Sequence, residues 1–339
     1  MLTDRAHGCL RTSWGRPVPG RCRRGLSSVS RAHHAPRTSG GPVEDHVTTT
    51  APVDGTTARI GVIGGSGLYR LFEEGTADEI TVDTPYGPTS SPITVGTMAG
   101  KRVAFLTRHG REHSVAPHLI NHRANVWALR SLGVRAIVSS SAVGGLHPDY
   151  APGTFVVTDQ LIDRTWGRAD TFFEDQVQHL SFADPFDPVL RRAAIDAIAA
   201  LDVPFRPTGT CVVIQGPRFS TRAESVWMRE AGGHTINMTM TPEVPLAAEL
   251  GIGTVNLSFV TDADAGLAPA ADETAADGTV PEAEAPVTHG AVMERLARAN
   301  EVIVRAIGDV VAALPDDYTP RELVPTAASE SVLRKTAHA

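Results

Sequence analysis

Short apolar runs that end in glycines, hydroxyls or charges alternate along this chain with stretches of helical period. R-I-G-V-I-G, residues 59–64, reads as a buried strand running into a Gly65-Ser66-Gly67 turn. Residues 80–82 and 93–95 read as strands joined by a D-T-P-Y-G turn, and residues 103–106 as another. Residues 121–132 carry apolar positions at helical spacing and stop at Gly133. Residues 136–138 form a short strand, with Ser139, Ser140, Ser141 and Ala142 following at its end. Residues 152–163 predict a turn and a buried strand, and residues 164–179 a long loop. Helices follow over 189–201, from Ser220 or Thr221 to Ala231, and over 243–250. Strands fall at 209–215, 234–238 and 254–260. A long amphipathic helix is expected over 287–314. Strands alternating with helices predict an α/β domain.

Three segments lack such periods. Residues 1–57 are rich in Arg, Ser, Gly, Pro and Thr, and are expected to be a disordered extension rather than a transit peptide, because prolines and glycines break any amphipathic helix. Residues 266–285 are polar and read either as a variable lid loop or as an inert insertion. Residues 315–339 are expected to be a disordered tail.

Composition narrows the function classes. The 339 residues carry a net charge of −7, and aromatic residues make up only 5%. Neither a basic field nor a stacking platform for nucleic acid is present. No apolar run approaches the ~20 residues of a membrane span. Three cysteines give no disulfide framework or metal knuckle, so a reducing, cytoplasmic setting is expected.

The strand ends hold the chemistry. Serines and the Gly144-Gly145 pair after residues 136–138 suit an anion, and equally an ordinary strand exit. Ser66 lies in a glycine turn that fits a phosphate or a plain tight turn. It matches neither the dinucleotide fingerprint, since Arg70 stands where a glycine is needed, nor a nucleophile elbow, since Leu68 does. Arg108 is a fixed cation for an oxyanion, and His109 can donate beside it. His109 and His113 have metal-like spacing, as do His118 and His122, but Arg108 and Arg111 would repel a cation, so no metal site is expected. Asp262 and Asp264 lie two apart beyond a buried strand, where one can carry a proton while the other stays ionised; a helix cap or a solvated loop fits them too. Taken alone, His179 is a surface histidine.

Six motifs in order, G-V-I-G-G-S-G-L, T-R-H-G-R-x-H, N-x-R-A-N-x-W-A-L, G-P-R-F-S-T-R-A-E-S, I-N-M-T-M-T-P-E and T-D-A-D, resemble the trimeric purine nucleoside phosphorylases, in particular the 5′-methylthioadenosine phosphorylase branch. The resemblance covers about residues 59–314. It implies a single nucleoside phosphorylase domain over 58–314, with a central mixed, partly barrel-like sheet flanked by helices, assembled as a homotrimer. It implies that Ser66, Arg108, His109, Ser141, Ala142 and Thr239 hold phosphate and that Met238 lies under the ribose. Asp262 and Asp264 would be the catalytic pair facing the purine N7 and 6-substituent, and Ser220 would contact the base. His179 would reach a neighbouring subunit's site near the 5′ group.

The implied reaction is attack of phosphate on C1′ through an oxocarbenium-like state, with Asp262 delivering a proton to N7. Inorganic phosphate is a co-substrate, and no metal or organic cofactor is expected. An acceptor carboxylate favours a 6-amino purine, hence 5′-methylthioadenosine. His289 departs from the small apolar residue expected beside a methylthio group, which keeps open a general purine nucleoside phosphorylase acting on adenosine or on inosine and guanosine. A non-catalytic nucleoside-binding protein would have lost part of this set, and a hydrolase would lack the anion clamp; neither is so.

Overall fold

The computed structural model describes residues 57–267 and 288–336. All but the last residue of the expected N-terminal extension, and nearly all of the expected lid, lie outside the described residues. An 11-stranded mixed sheet forms the centre. Its strands are β1 (Ile60–Gly64), β2 (Asp78–Ile80), β3 (Ile93–Met98), β4 (Lys101–Thr107), β5 (Ala136–Gly145), β6 (Phe155–Val157), β7 (Gln160–Arg164), β8 (Phe205–Arg206), β9 (Thr210–Ile214), β10 (Thr235–Asn237) and β11 (Gly253–Asp262). The helices are α1 (His122–Ser131), α2 (Pro188–Ala199), α3 (Arg222–Glu230), α4 (Met240–Glu249), α5 (Asp264–Leu267), α6 (His289–Ala313) and α7 (Thr326–Leu333).

Alternation along the strands makes two cores. Ile60, Val62, Val103, Phe105, Ala136 and Val138 point to one face, and Ile63, Ala104, Leu106 and Ile137 to the other. On the first face α6 lays down Leu296, Ala299, Ile303, Ala306, Ile307 and Val310 at helical spacing, against Leu190, Ala194 and Ile198 of α2. On the second, α1 supplies Val126 and Leu129, and α4 and its C-cap supply Leu246 and Leu250. Covering both faces explains why β1 is buried at every position and reads as a continuous apolar run.

β5 is the branch point of the sheet. One edge runs parallel to β11 along the strand, and β11 in turn pairs with β6. On the other edge residues 136–139 pair in parallel with β1, and Gly144 and Gly145 pair antiparallel with β10. Residues 140–143 have no strand partner there. The sequence reading ended the strand at Val138; in fact it runs on to Gly145, and the three serines lie inside it. Alternation turns Ser139 and Ser141 toward Asn256 of β11, whose Nδ2 donates to both Oγ atoms at 2.9 Å. These paired hydroxyls let polar residues sit in a central strand.

Two further expectations are corrected. The single strand expected over 152–163 is two, β6 and β7, because β6 pairs with β11 and β8 whereas β7 pairs with β9. The tail is ordered through α7. Val324, Ala328 and Val332, four apart, lie in the second core, Trp127 Nε1 donates to the Val332 carbonyl at 3.2 Å, and Ser329 Oγ donates to the Glu249 carbonyl at 2.7 Å. Small apolar residues in a short stretch concealed that stripe. Val332→Ala is expected to lower stability by about 2 kcal/mol in urea unfolding; a disordered tail would give no change.

Candidate functional site

The carboxyl ends of β1, β4, β5, β10 and β11 open into one cleft of about 470 Å³. It lies where β5 changes partners, the topological position at which open α/β sheets take ligands. Ser66, Arg108, His109, Ser141, Ala142, Met238, Thr239, Ser220, Asp262, Asp264 and His289 all line it. His179 does not; it stands exposed on the loop after β7.

One end of the cleft is built around a buried guanidinium. Arg108 follows β4, and its backbone N–H donates to the Gly64 carbonyl at 3.0 Å. Its side chain is only 1% exposed. Nε and Nη2 donate to Oε2 and Oε1 of Glu243 at 2.6 and 2.8 Å, and Nη1 donates to the Ser140 carbonyl at 3.0 Å. This fork-to-fork pair is what a buried guanidinium requires. Three of its five N–H groups are so used. Gly65 must be glycine because a Cβ there would lie 2.5 Å from the Ser140 carbonyl oxygen and 2.9 Å from Arg108 Nη1. Its N–H donates to Ser140 Oγ at 3.2 Å.

His109 departs from expectation. Its Nδ1 lies 2.9 Å from the Val115 carbonyl, which can only accept, so Nδ1 carries the hydrogen. Burial, with Arg108 beside it, lowers the imidazole from 6.5 to about 4. The ring is therefore neutral at ordinary pH, and Nε2 offers a lone pair instead of the second donor expected. Thr239 opens α4 with no side-chain capping bond, which leaves its hydroxyl uncommitted.

The other end holds carboxyls. Asp262 ends β11; its Oδ2 accepts from Thr261 Oγ1 at 2.8 Å and its Oδ1 from the Asp264 N–H at 3.2 Å. Asp264 adopts φ +28°, a sparsely populated conformation of the kind found at functional sites. Its carboxylate accepts from the hydroxyls of Ser225 and Ser220. A capping box between Thr221 and Glu224 sets the start of α3 and so places Ser225. Desolvation raises both aspartates above the ordinary carboxyl range.

A third side is histidine-rich. His113 stacks against His109 at 4.6 Å and against His289 at 5.2 Å between ring centroids. Its Nδ1 lies 3.1 Å from the Tyr69 hydroxyl. Val292 lines the cleft next to this stack. Among the described residues no group of three or more His, Cys, Asp or Glu side chains is arranged to hold a metal ion.

Sequence reasoning did not single out Glu243, Ser225 or Tyr69, and it weighed His113 only for its metal-like spacing from His109. Glu243, Ser225 and His113 stand inside the quoted motifs, as the last residue of M-T-P-E, of R-A-E-S and of H-G-R-x-H. Tyr69 gave no signal beyond its place after the glycine turn.

A buried guanidinium and two carboxyls with raised proton affinity thus line one cleft of an α/β fold. The chain belongs to the phosphorylase superfamily, whose family model matches residues 59–312. It is 53% identical to an S-methyl-5′-thioadenosine phosphorylase of Mycolicibacterium smegmatis over 61% of this chain and 78% of that one. It is 45% identical to a purine nucleoside phosphorylase of Streptomyces coelicolor over 76% and 90%. Among solved structures, a methylthioadenosine phosphorylase from Schistosoma mansoni in complex with adenine superposes with TM-score 0.69 at 30% identity, covering 83% of this chain and 99% of that one.

Glu243→Gln would strand the Arg108 charge in the interior, with an expected loss of about 3–5 kcal/mol in urea unfolding. His109 gives a pH signature. Between pH 6.5 and about 4 the unfolded chain binds a proton at this residue that the folded chain does not. Its contribution to stability is full above 6.5 and lost as pH falls through that window. Buried His122, also lowered, adds to the fall. His109→Asn is expected to flatten part of it in unfolding curves taken across the window.

Proposed function

We propose that this protein cleaves the N-glycosidic bond of 5′-methylthioadenosine by phosphorolysis, giving adenine and 5-methylthioribose 1-phosphate. One observation carries the reading: Asp262 and a hydroxyl-held Asp264 share a cleft with a buried Arg108 clamp. Phosphate sits against Arg108, Ser66, Ser141, Thr239 and the backbone at Ala142. His109 accepts from its protonated oxygen. Met238 underlies the ribose, which puts C1′ between phosphate and base and converts the attack into a positioned, in-cleft step. Asp264, with two hydroxyls donating to it, is the carboxylate that accepts from the 6-amino group, with Ser220 alongside. Asp262 has one hydroxyl donor and burial favours its protonated form, so it gives its proton to N7 as the glycosidic bond breaks. The purine then leaves neutral. Phosphate is the co-substrate, and no step calls on a metal or organic cofactor.

The enzyme acts as a homotrimer in the cytoplasm, with no nucleic acid or membrane as partner. In that assembly the exposed side chains of Leu119, Trp166 and Val177, now 67%, 68% and 79% accessible, would be covered. In the trimer the loop bearing Trp166 and Val177 would carry His179 to the 5′ side of a neighbouring cleft. Among the described residues Cys211 is a free, buried thiol. No helix among the described residues is long and apolar enough to cross a membrane.

A general purine nucleoside phosphorylase is the second reading. His289, beside His113, favours it, because an imidazole hydrogen-bonds a 5′-hydroxyl far better than a 5′-methylthio group, whose sulfur is only a weak acceptor. Base release from 5′-methylthioadenosine, adenosine and inosine at saturating phosphate separates the two. The first reading expects the highest kcat/KM with methylthioadenosine; a preference for adenosine or inosine installs the second. With either substrate, Asp262→Asn is expected to lower kcat by about 10²–10⁴-fold with the KM for phosphate unchanged.

A further inference from the structure

Arg168 stands half-buried in the loop after β7, just beyond Gly167 at φ +66°. It is in none of the motifs, and it does not line the cleft. Its guanidinium nevertheless closes on four acceptors. Nη1 donates to the carbonyls of Met238 at 2.9 Å and Thr241 at 2.6 Å. Nη2 donates to the Gln215 carbonyl at 2.9 Å, and Nε to its Oε1 at 3.2 Å.

The two carbonyls on Nη1 bracket the turn that presents Met238 and Thr239 to the cleft. That turn supports itself poorly. Thr239 supplies no capping bond, and Thr241 interrupts the helical path with φ −105° and ψ 127°. The Thr241 carbonyl is therefore turned out of the helix ladder and finds the guanidinium instead. Gln215 belongs to the same unit: it precedes Gly216, where a Cβ would lie 2.5 Å from the Met238 sulfur. One cation thus pins the ends of β9 and β10 to the loop leaving β7, and fixes the backbone on which Met238 and Thr239 are mounted. Charged donors hold carbonyls more strongly than neutral ones, and a planar fork reaches several at once.

We propose that Arg168 is a positioning residue for the reaction, setting the Met238–Thr241 turn so that Thr239 meets phosphate and Met238 meets the ribose. This rests on the phosphorolytic reading. The test is the KM for phosphate and for nucleoside in the wild-type protein, Arg168→Ala and Arg168→Lys, with Tm measured beside them. A purely structural loss lowers the folded fraction and the apparent kcat but leaves KM alone. The expected result is a rise of about tenfold or more in both KM values for Arg168→Ala. Arg168→Lys, with one ammonium in place of the fork, should fall between, and added millimolar guanidinium should restore part of the alanine variant's loss. Unchanged KM values in both variants, with activity following the folded fraction, overturn the proposal. Wild-type base release that ignores phosphate overturns the phosphorolytic reading, and the inference with it, before any variant is made.

Discussion

The buried pair of Arg108 and Glu243 is the constraint around which the site is organised. A guanidinium sealed from water is tolerable only if its charge is matched and its N–H groups are occupied. Glu243 does the first from the start of α4, and the Ser140 carbonyl contributes to the second from the unpaired edge of β5. Three elements are thereby fixed to one side chain. The edge that β5 leaves open between β1 and β10 makes room for this arrangement, and Gly65 lets the backbone of the first turn pass close beside it. The pair neutralises the cation without using all of its donors, so hydrogen-bonding capacity for an anion survives burial.

From that clamp the cleft runs to its chemical opposite. His109 is kept neutral by burial and by Arg108, with its one N–H tied to Val115, so it adds a lone pair and no second charge. At the far end, desolvation pushes protons onto Asp262 and Asp264 while hydroxyls from Thr261, Ser220 and Ser225 pull the other way. In the proposed reaction the unequal hydroxyl count assigns the two carboxyls different parts, Asp262 the proton carrier and Asp264 the acceptor, as environment does in other paired-carboxyl sites. In that proposal the fold supplies both halves of a displacement: a held nucleophile and an acid for the leaving group.

Much of this was legible in the sequence because strand ends announce themselves. An apolar run that stops at Ser66, Arg108, Thr239 or Asp262 marks both the layer and the rim of the cleft. The helix start at Ser220 or Thr221 and the Gly133 stop were readable from local chemistry alone. What escaped depends on pairing between distant segments. Nothing local says that Ser139 and Ser141 stay inside a strand, since Asn256, their partner, lies more than a hundred residues away. Glu243 stood at the start of an expected helix, and only the tertiary fold brings it to Arg108. The tautomer of His109 follows from a carbonyl six positions on, held by a loop with no periodic signal. α7 was lost because its stripe is built of alanine and valine amid polar residues.

The central claim is that the anion held at one end of the cleft becomes bonded to the sugar when the base departs at the other. Phosphorus NMR of the protein with 5′-methylthioadenosine and inorganic phosphate reads this directly. The account predicts a new sugar-phosphate resonance that grows in step with free adenine as the inorganic phosphate signal declines. Adenine release with the inorganic phosphate signal unchanged would contradict it.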